Sequence, residues 1–470
     1  MTDPTERGDA PRTPIGAVRP SWSRSGRPLA RRVFQPLQAF LQAEASSALL
    51  LLAAAAFAIA WANSPWRESY EELWRTTVTI GVGEWDLSHD LRQWVNDGLM
   101  SLFFLVVGLE VKREFLTGEL KGPRAAALPV VAALGGMVVP ALIYAALNAG
   151  SDGSSGWGIP TATDIAFALG ILTLAARSAP PSLKPFLLTL AIVDDIGAII
   201  VIALFYSEGV SVLSLLIAAI LLAFMIALQR FDVRATVVYV ALGAAVWLAF
   251  DRSGVHPAIA GVILGFITPA EPFQRPSAVS EEAVKTAEST IDDPDPPDVD
   301  APQWLRLAWL SREAVSPLAR VEATLHPWTS YIIVPLFALA NAGVELSGEA
   351  LRGSTTSTVT LGVVLGLVVG KMVGITAASA IAIRTDLGHL PSGSTWRHMV
   401  GLGAVAGVGF TVSLFITELA FTRARLAEEA KVGILVASVI AAVIGFLILR
   451  SGSERPIETP PRPIGAGHDA

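Results

Sequence analysis

Apolar and polar stretches alternate along this chain on the length scale of a bilayer. Apolar runs of roughly 17 to 25 residues suit helices that cross a ~30 Å hydrocarbon core at ~1.5 Å per residue. They fall at about 37–62, 91–115, 125–147, 186–205, 211–228, 235–250, 255–269, 327–344, 359–383 and 431–449. Two further runs, 158–170 and 398–419, are interrupted by Gly, Pro or Thr. The pattern predicts an all-α polytopic membrane protein with about twelve transmembrane helices. A different period governs Thr76 to Leu87, which alternates and carries Gly81 and Gly83. It predicts a small β-hairpin over 76–88. Such a hairpin is marginal alone, so pairing with a second copy is a use for it.

The interrupted runs correspond to one another. The first reads Gly158-Ile159-Pro160-Thr161-Ala162-Thr163-Asp164, and the second contains Gly407-Val408-Gly409-Phe410-Thr411. Each is the middle member of a three-span group, 3–5 and 10–12. Matching interruptions in two halves point to a binding site built from broken helices in inverted repeats.

Three segments stand outside the apolar pattern. Residues 1–36 are polar and Pro-rich, with seven Arg in the first 32, and read as a disordered cytoplasmic arm. The apolar run that follows is too long for the core of a cleavable signal. Within 271–320, the acidic run Asp292 to Asp300 cannot build a core and reads as a disordered loop, followed by an amphipathic interfacial helix over Arg306 to Arg320. The tail 451–470 is again polar and Pro-rich. The transmembrane unit is therefore 37–450. Lys and Arg gather on one side of alternating spans, which places both termini in the cytoplasm and the hairpin in the periplasm. Arg423, Arg425 and Lys431 are the exception.

Composition narrows the chemistry. The chain is 52% hydrophobic and 16% charged, and much of its net charge of −7 comes from the acidic loop. No basic, aromatic-interleaved surface suggests nucleic acid. Cys is absent, which removes disulfides, thiolate metal sites and cysteine nucleophiles, and the six His have no metal-ligand spacing.

The candidate chemistry lies in the apolar interior. Asp194 and Asp195 sit near the middle of the 186–205 run, roughly 12 to 15 Å from either end, too far for Asp to reach water. Two adjacent carboxylates there are costly and repel one another, so the pair reads as a place where a cation and protons compete. Oxygen ligands suit a hard monovalent cation such as Na+ or Li+. The two side chains diverge by about 100° around a helix and face different neighbours.

Asp164 follows Thr163 in the first broken run, where a carboxylate neutralises the positive end of a half-helix or serves as an ordinary N-cap. Lys371, near mid-span, needs a carboxylate or the negative ends of half-helices. Glu110, Lys112, Arg113 and Glu114 end a helix and fit ordinary anchoring as well as function. His256 begins a span. Glu322 and His326 lie at a cytoplasmic mouth.

These residues together resemble the NhaA family of bacterial Na+/H+ antiporters. The matching segments include Asn96-Asp97-Gly98, Gly108 to Glu114, Thr161 to Ala168, Ile192 to Ile199, Gly254-Val255-His256, Leu325 to Trp328, Asn341-Ala342-Gly343, Gly370-Lys371 and Gly409-Phe410-Thr411. The resemblance implies a site where two broken helices cross. Asp195 would be the principal cation ligand and proton carrier. Asp194 would be the second carboxylate, paired with Lys371 in one state. Asp164 and Lys371 would neutralise the half-helix ends. Glu110, Arg113, Glu114, His256, Glu322 and His326 match positions linked to a cytoplasmic funnel and a pH response, and the hairpin matches a dimer contact. The chain departs from the family pattern in its long polar termini, its extended 271–320 loop and Ala323 after Glu322.

The expectation is an electrogenic, pH-regulated Na+(Li+)/H+ antiporter of the bacterial inner membrane. It would be a transporter without enzymatic activity, resident metal or cofactor, and a homodimer. Two rivals share some of these features. An intramembrane aspartyl protease wants its acids on facing helices, usually with Gly-x-Gly-Asp, which is absent. A Na+-coupled solute symporter of similar fold would need an organic-substrate pocket.

Overall fold

The computed structural model describes residues 45–82, 85–175, 180–207, 209–292, 301–346, 353 and 356–451. The expected N-terminal arm, the acidic run 293–300 and the tail beyond 451 lie outside the described residues.

The chain enters as α1 (Ala45–Ala62), apolar on every side, and turns through 114° into the short amphipathic α2 (Arg67–Arg75). Asn63 makes the corner. Its Nδ2 donates to the Ile59 and Val344 carbonyls, both at 2.8 Å, and its Oδ1 accepts from Leu346 N at 2.7 Å. Strands β1 (Thr77–Val82) and β2 (Trp85–Asp90) then form the predicted hairpin, antiparallel with Thr77 opposite Asp90 and Val82 opposite Trp85. Asp90 ends the hairpin and caps the next helix, accepting from Gln93 N at 2.7 Å.

Further long apolar helices follow: α3 (Leu91–Thr117), α4 (Pro123–Asn148), α5 (Ile165–Ala175) after a 3-10 segment at Ser154–Thr161, α6 (Leu183–Phe205) and α7 (Val212–Arg230). The shorter α8 (Thr236–Asp251) and α9 (Ala258–Ile267) come next. Outside the apolar pattern stand α10 (Pro276–Asp292) and α11 (Ala301–Glu313). The chain closes with α12 (Pro317–Asn341), α13 (Thr358–Arg384), the bent pair α14 (Trp396–Val405) and α15 (Phe410–Ala420), and α16 (Ala424–Arg450). Among the described residues, eight helices are long and apolar enough to cross a membrane, or ten if each bent pair is one span. The large apolar side chains on α7, such as Val212, Leu213 and Ile220, face outward, where lipid and not water satisfies them. This is a multi-pass membrane protein.

Some helix starts differ from the pattern-based reading, among them that of α16, expected at 431 and found at Ala424. The helix expected at 327–344 starts ten residues earlier, because Pro317 at its first position and Ser316, which accepts from Ala319 N at 3.2 Å, begin it in polar sequence. That start also splits the single helix expected over Arg306 to Arg320.

Small residues set the closest contacts. In α9, Gly261 and Gly265 press on α3: a Cβ on Gly261 would lie 2.1 Å from the Ser101 carbonyl. In α13, Gly366, Gly370 and Gly374 recur every fourth residue, and a Cβ on Gly374 would lie 2.2 Å from the Gly135 carbonyl of α4. Backbones approach this closely in lipid because packing, not water exclusion, holds membrane helices together. The α4–α13 contact fixes where Lys371 enters the interior.

Candidate functional site

Two interruptions meet at the centre. Between the 3-10 segment and α5, residues 162–164 are not helical, and between α14 and α15 the chain unwinds over 406–409. Each break leaves backbone groups without helical partners, and in a membrane interior these must be satisfied by protein. Here the breaks satisfy one another. Asp164 N donates to the Val408 carbonyl at 2.7 Å, and Ser413 Oγ donates to the Ile159 carbonyl at 2.7 Å. Gly409 permits the approach, since a Cβ there would lie 2.9 Å from the Ala162 carbonyl, and Gly407 admits α13, where a Cβ would lie 2.3 Å from the Leu367 carbonyl.

Asp164 serves both half-helices at once. Its Oδ1 accepts from Phe167 N at 3.2 Å in the first turn of α5. Its Oδ2 accepts from Thr411 N at 3.1 Å and Thr411 Oγ1 at 2.7 Å in the first turn of α15. One carboxylate thus faces two helix N-termini, where orphan N–H groups and helix dipoles favour negative charge. The sequence names both Asp164 and Thr411 without linking them. The available signal was Gly409, an N-cap with no side chain, which obliges α15 to borrow a cap.

Thr163 carries the arrangement to α6 and α13. Its hydroxyl lies 2.6 Å from Asp194 Oδ2 and 2.8 Å from the Ala406 carbonyl, and it accepts from Lys371 Nζ at 3.0 Å. Having one proton to give, it donates to one of the two oxygens at a time. Lys371 Nζ also donates to Asp194 Oδ2, closing a Thr163–Asp194–Lys371 triangle. Lys371 and Asp194 are fully buried. A five-residue π-turn, Gly366–Gly370, ends at Lys371 and sets the side chain's direction.

Asp195, one residue on, lives differently. It is buried, yet no described residue donates a hydrogen bond to it. The charges acting on it are mostly acidic, from Asp194, Glu110 and Asp164, with Lys371 opposing them. Asp194 Oδ1 is likewise buried without a partner. Unsatisfied carboxylate oxygens in a negative field form an all-oxygen donor set suited to a hard cation or to protons.

The remaining candidates fall into two groups at opposite ends of α3. At one end, Arg113 is ion-paired with Glu322 on α12, and the half-buried Glu110 lies within electrostatic reach of that pair and of Asp195. Glu114 accepts from Thr189 Oγ1 at 3.2 Å and Glu119 N at 2.8 Å. It lines a cavity of about 290 Å³ with Thr117, Glu119, Leu188 and Thr189. Thr189 is six residues before Asp195, about 9 Å along α6. His326 is exposed on α12.

His256 is not with them. Its Nε2 lies 3.2 Å from Asp97 Oδ1 and its ring is edge-on to Phe415 of α15 at 5.0 Å. Asp97 precedes Glu110 by thirteen residues, so His256 sits about 20 Å from the Glu110 cluster along α3. Nearby, His89 of β2 approaches Asp251 at 3.3 Å, a contact that sequence reasoning missed. The basic trio Arg423, Arg425 and Lys431 proves to be paired, with Asp152, Glu429 and Glu418 respectively.

Known proteins resemble this chain over nearly its whole length. The profile of the family described as Na+/H+ antiporter 1 matches residues 38–449. A curated relative from Sorangium cellulosum, named Na(+)/H(+) antiporter NhaA 2, is 47% identical over 90% of this chain and 92% of its own. Another of that name, from Myxococcus xanthus, is 46% identical over 91% and 92%. Na(+)/H(+) antiporter NhaA of Janthinobacterium is 45% identical over 89% and 93%. With the profile matching residues 38–449 and relatives 45–47% identical over about nine-tenths of the chain, the chain belongs to the Na+/H+ antiporter 1 family.

Proposed function

We propose that this protein exports Na+ or Li+ across the bacterial inner membrane in exchange for protons, with Asp195 as principal cation ligand and Asp194 as second ligand. The observation that carries the reading is the contrast at adjacent positions. Asp194 is neutralised by Lys371, whereas Asp195 is buried and no described residue donates a hydrogen bond to it. A cation entering beside Asp195 gains full value from Asp194 only if Lys371 lets go. Protonation of the carboxylates and return of Lys371 then expel the cation. The same oxygens hold cation or protons, never both, which couples the two flows. If both carboxylates exchange a proton for each Na+, one net positive charge enters per cycle and transport is electrogenic.

Alternating access would come from rocking the bundle that contains the two broken helices, related as inverted repeats, against the rest. Counting α1, the two shorter apolar helices and α14 with α15 as spans yields the twelve expected, with both termini cytoplasmic and the 76–88 hairpin periplasmic. The Glu110, Arg113, Glu114, Glu322 and His326 region would form the cytoplasmic funnel and tune the response to pH. His256 would act from the other end of α3, through α15. The hairpin, which exposes Val78 and Ile80, would join two copies.

The test is Asp195→Asn in everted vesicles. Na+ addition should no longer collapse a respiration-driven pH gradient. Undiminished exchange would overturn the assignment.

A further inference from the structure

A groove of about 560 Å³ runs between α13 and α14, on the opposite side of α13 from its contact with α4. Its walls are apolar: Met372, Val373, Ala377 and Ala380 from α13, Val400 from α14. Its ends differ. At one end Met372 follows Lys371 directly. At the other stand Arg384, in the last turn of α13, and Trp396, the first residue of α14. From Met372 to Arg384 is twelve residues, about 18 Å along the helix. That is close to the ~15 Å hydrocarbon depth of one leaflet.

The side chains around it face outward. Val373 is 47% exposed, Ile381 60% and Trp396 43%, apolar surface that only lipid would cover. Arg384 is exposed and has no acidic partner among the described residues. Asp386, two positions later, is not within ion-pair distance. Arg423, Arg425 and Lys431, at the opposite end of the bundle, are by contrast paired.

We propose that this groove holds an anionic phospholipid, one acyl chain lying along α13 and the phosphate on the Arg384 guanidinium. An apolar trough of leaflet length, closed by an unpaired guanidinium and an interfacial Trp, fits the three zones of such a molecule. A zwitterionic lipid supplies the chain but brings its own cation to the headgroup, so Arg384 discriminates between them. The lipid would rest against the turn that follows Lys371 and against the first half of the second broken helix. It belongs to the wall of the site without touching the transported ion.

The chain contains no Cys, so Thr376→Cys places a single label in the groove. The full-length labelled protein, carrying a bimane, is reconstituted in phosphatidylcholine vesicles containing brominated-chain phosphatidylglycerol or, separately, brominated-chain phosphatidylcholine. Phosphatidylglycerol should displace phosphatidylcholine at the label with roughly fivefold preference, the weight of one basic side chain at a membrane surface. Arg384→Gln should abolish the preference and Arg384→Lys should keep most of it. Equal quenching by the two lipids, or a preference that survives Arg384→Gln, would overturn the proposal. The readout is lipid contact, so it stands apart from any measurement of ion exchange.

Discussion

Two ion pairs of this molecule, each one basic side chain on one carboxylate, sit in different settings. Lys371–Asp194, where α13 meets α6, is fully buried. Arg113–Glu322, where α3 meets α12, leaves Arg113 46% exposed and Glu322 11%. In water a pair of charges is nearly indifferent to its own existence, because solvent replaces whichever partner is lost. In the dry interior nothing replaces it, and the surviving charge bears the desolvation cost. The buried pair is therefore a latch whose opening must be matched by another charge, such as an arriving cation or proton. The outer pair, with Arg113 half exposed, can open at a lower cost, which suits a region that adjusts and does not commit.

The sharpest way to break this comparison is to remove one partner at a time. Asp194→Ala strands the Lys371 ammonium, which should cost about 3–5 kcal/mol. In detergent this reads as a large fall in the unfolding temperature, together with loss of Na+-dependent proton movement. Asp195→Asn should lose exchange as completely while unfolding within a degree or two of the parent, because no hydrogen bond to Asp195 is forfeited. Equal destabilisation by the two substitutions would mean that their burial, and not their partnering, sets them apart.

Asp164→Ala comes next. It uncaps α5 and α15 together, at ~1 kcal/mol for each cap and more where the donors are dry, so about 2–4 kcal/mol in all. Hydrogen exchange should speed at Phe167 and Thr411 in step. Faster exchange at only one of them would show that the two half-helices do not depend on the same carboxylate.

Arg113→Gln should cost less than Asp194→Ala, about 1–2 kcal/mol, because Arg113 reaches water although Glu322 is largely buried. The maximal exchange rate should stay within roughly twofold while its pH dependence moves, measured as dye dequenching across a pH series. A drop in stability comparable to that of Asp194→Ala would erase the distinction between the two pairs. The smallest effect on the interior should come from replacing the hairpin residues 81–86 by two glycines. Light scattering should then report a monomer with the unfolding temperature little changed. A dimer that persists would move the contact elsewhere.

How much of this could be read in advance varies with the range of the interaction. Apolar runs of bilayer length made the long helices legible, and alternation did the same for β1 and β2. Both are local signals, carried by neighbours in the chain. The ends of α12 were less legible, because a Ser-Pro start draws polar sequence into a helix that hydropathy alone leaves out. The separation of His256 from Glu110 was not legible at all. The family resemblance groups both in one functional region, and only the length of α3 puts them about 20 Å apart.

The site divides in the same way. By itself the sequence determined that two acids lie where lipid excludes charge, that a lone Lys is similarly placed, and that two spans are interrupted. A buried charge is so costly that its mere presence carries information. Tertiary structure decided which groups meet. Lys371 reaches Asp194 across 177 positions and chooses it over Asp195, while Asp164 caps Thr411 across 247 positions. Those choices follow from how Gly135 and Gly374 let α4 and α13 close on each other, and from how the gap at 406–409 admits the 162–164 segment. Such contacts depend on the shapes of whole helices brought together, and no stretch of sequence contains both sides of them.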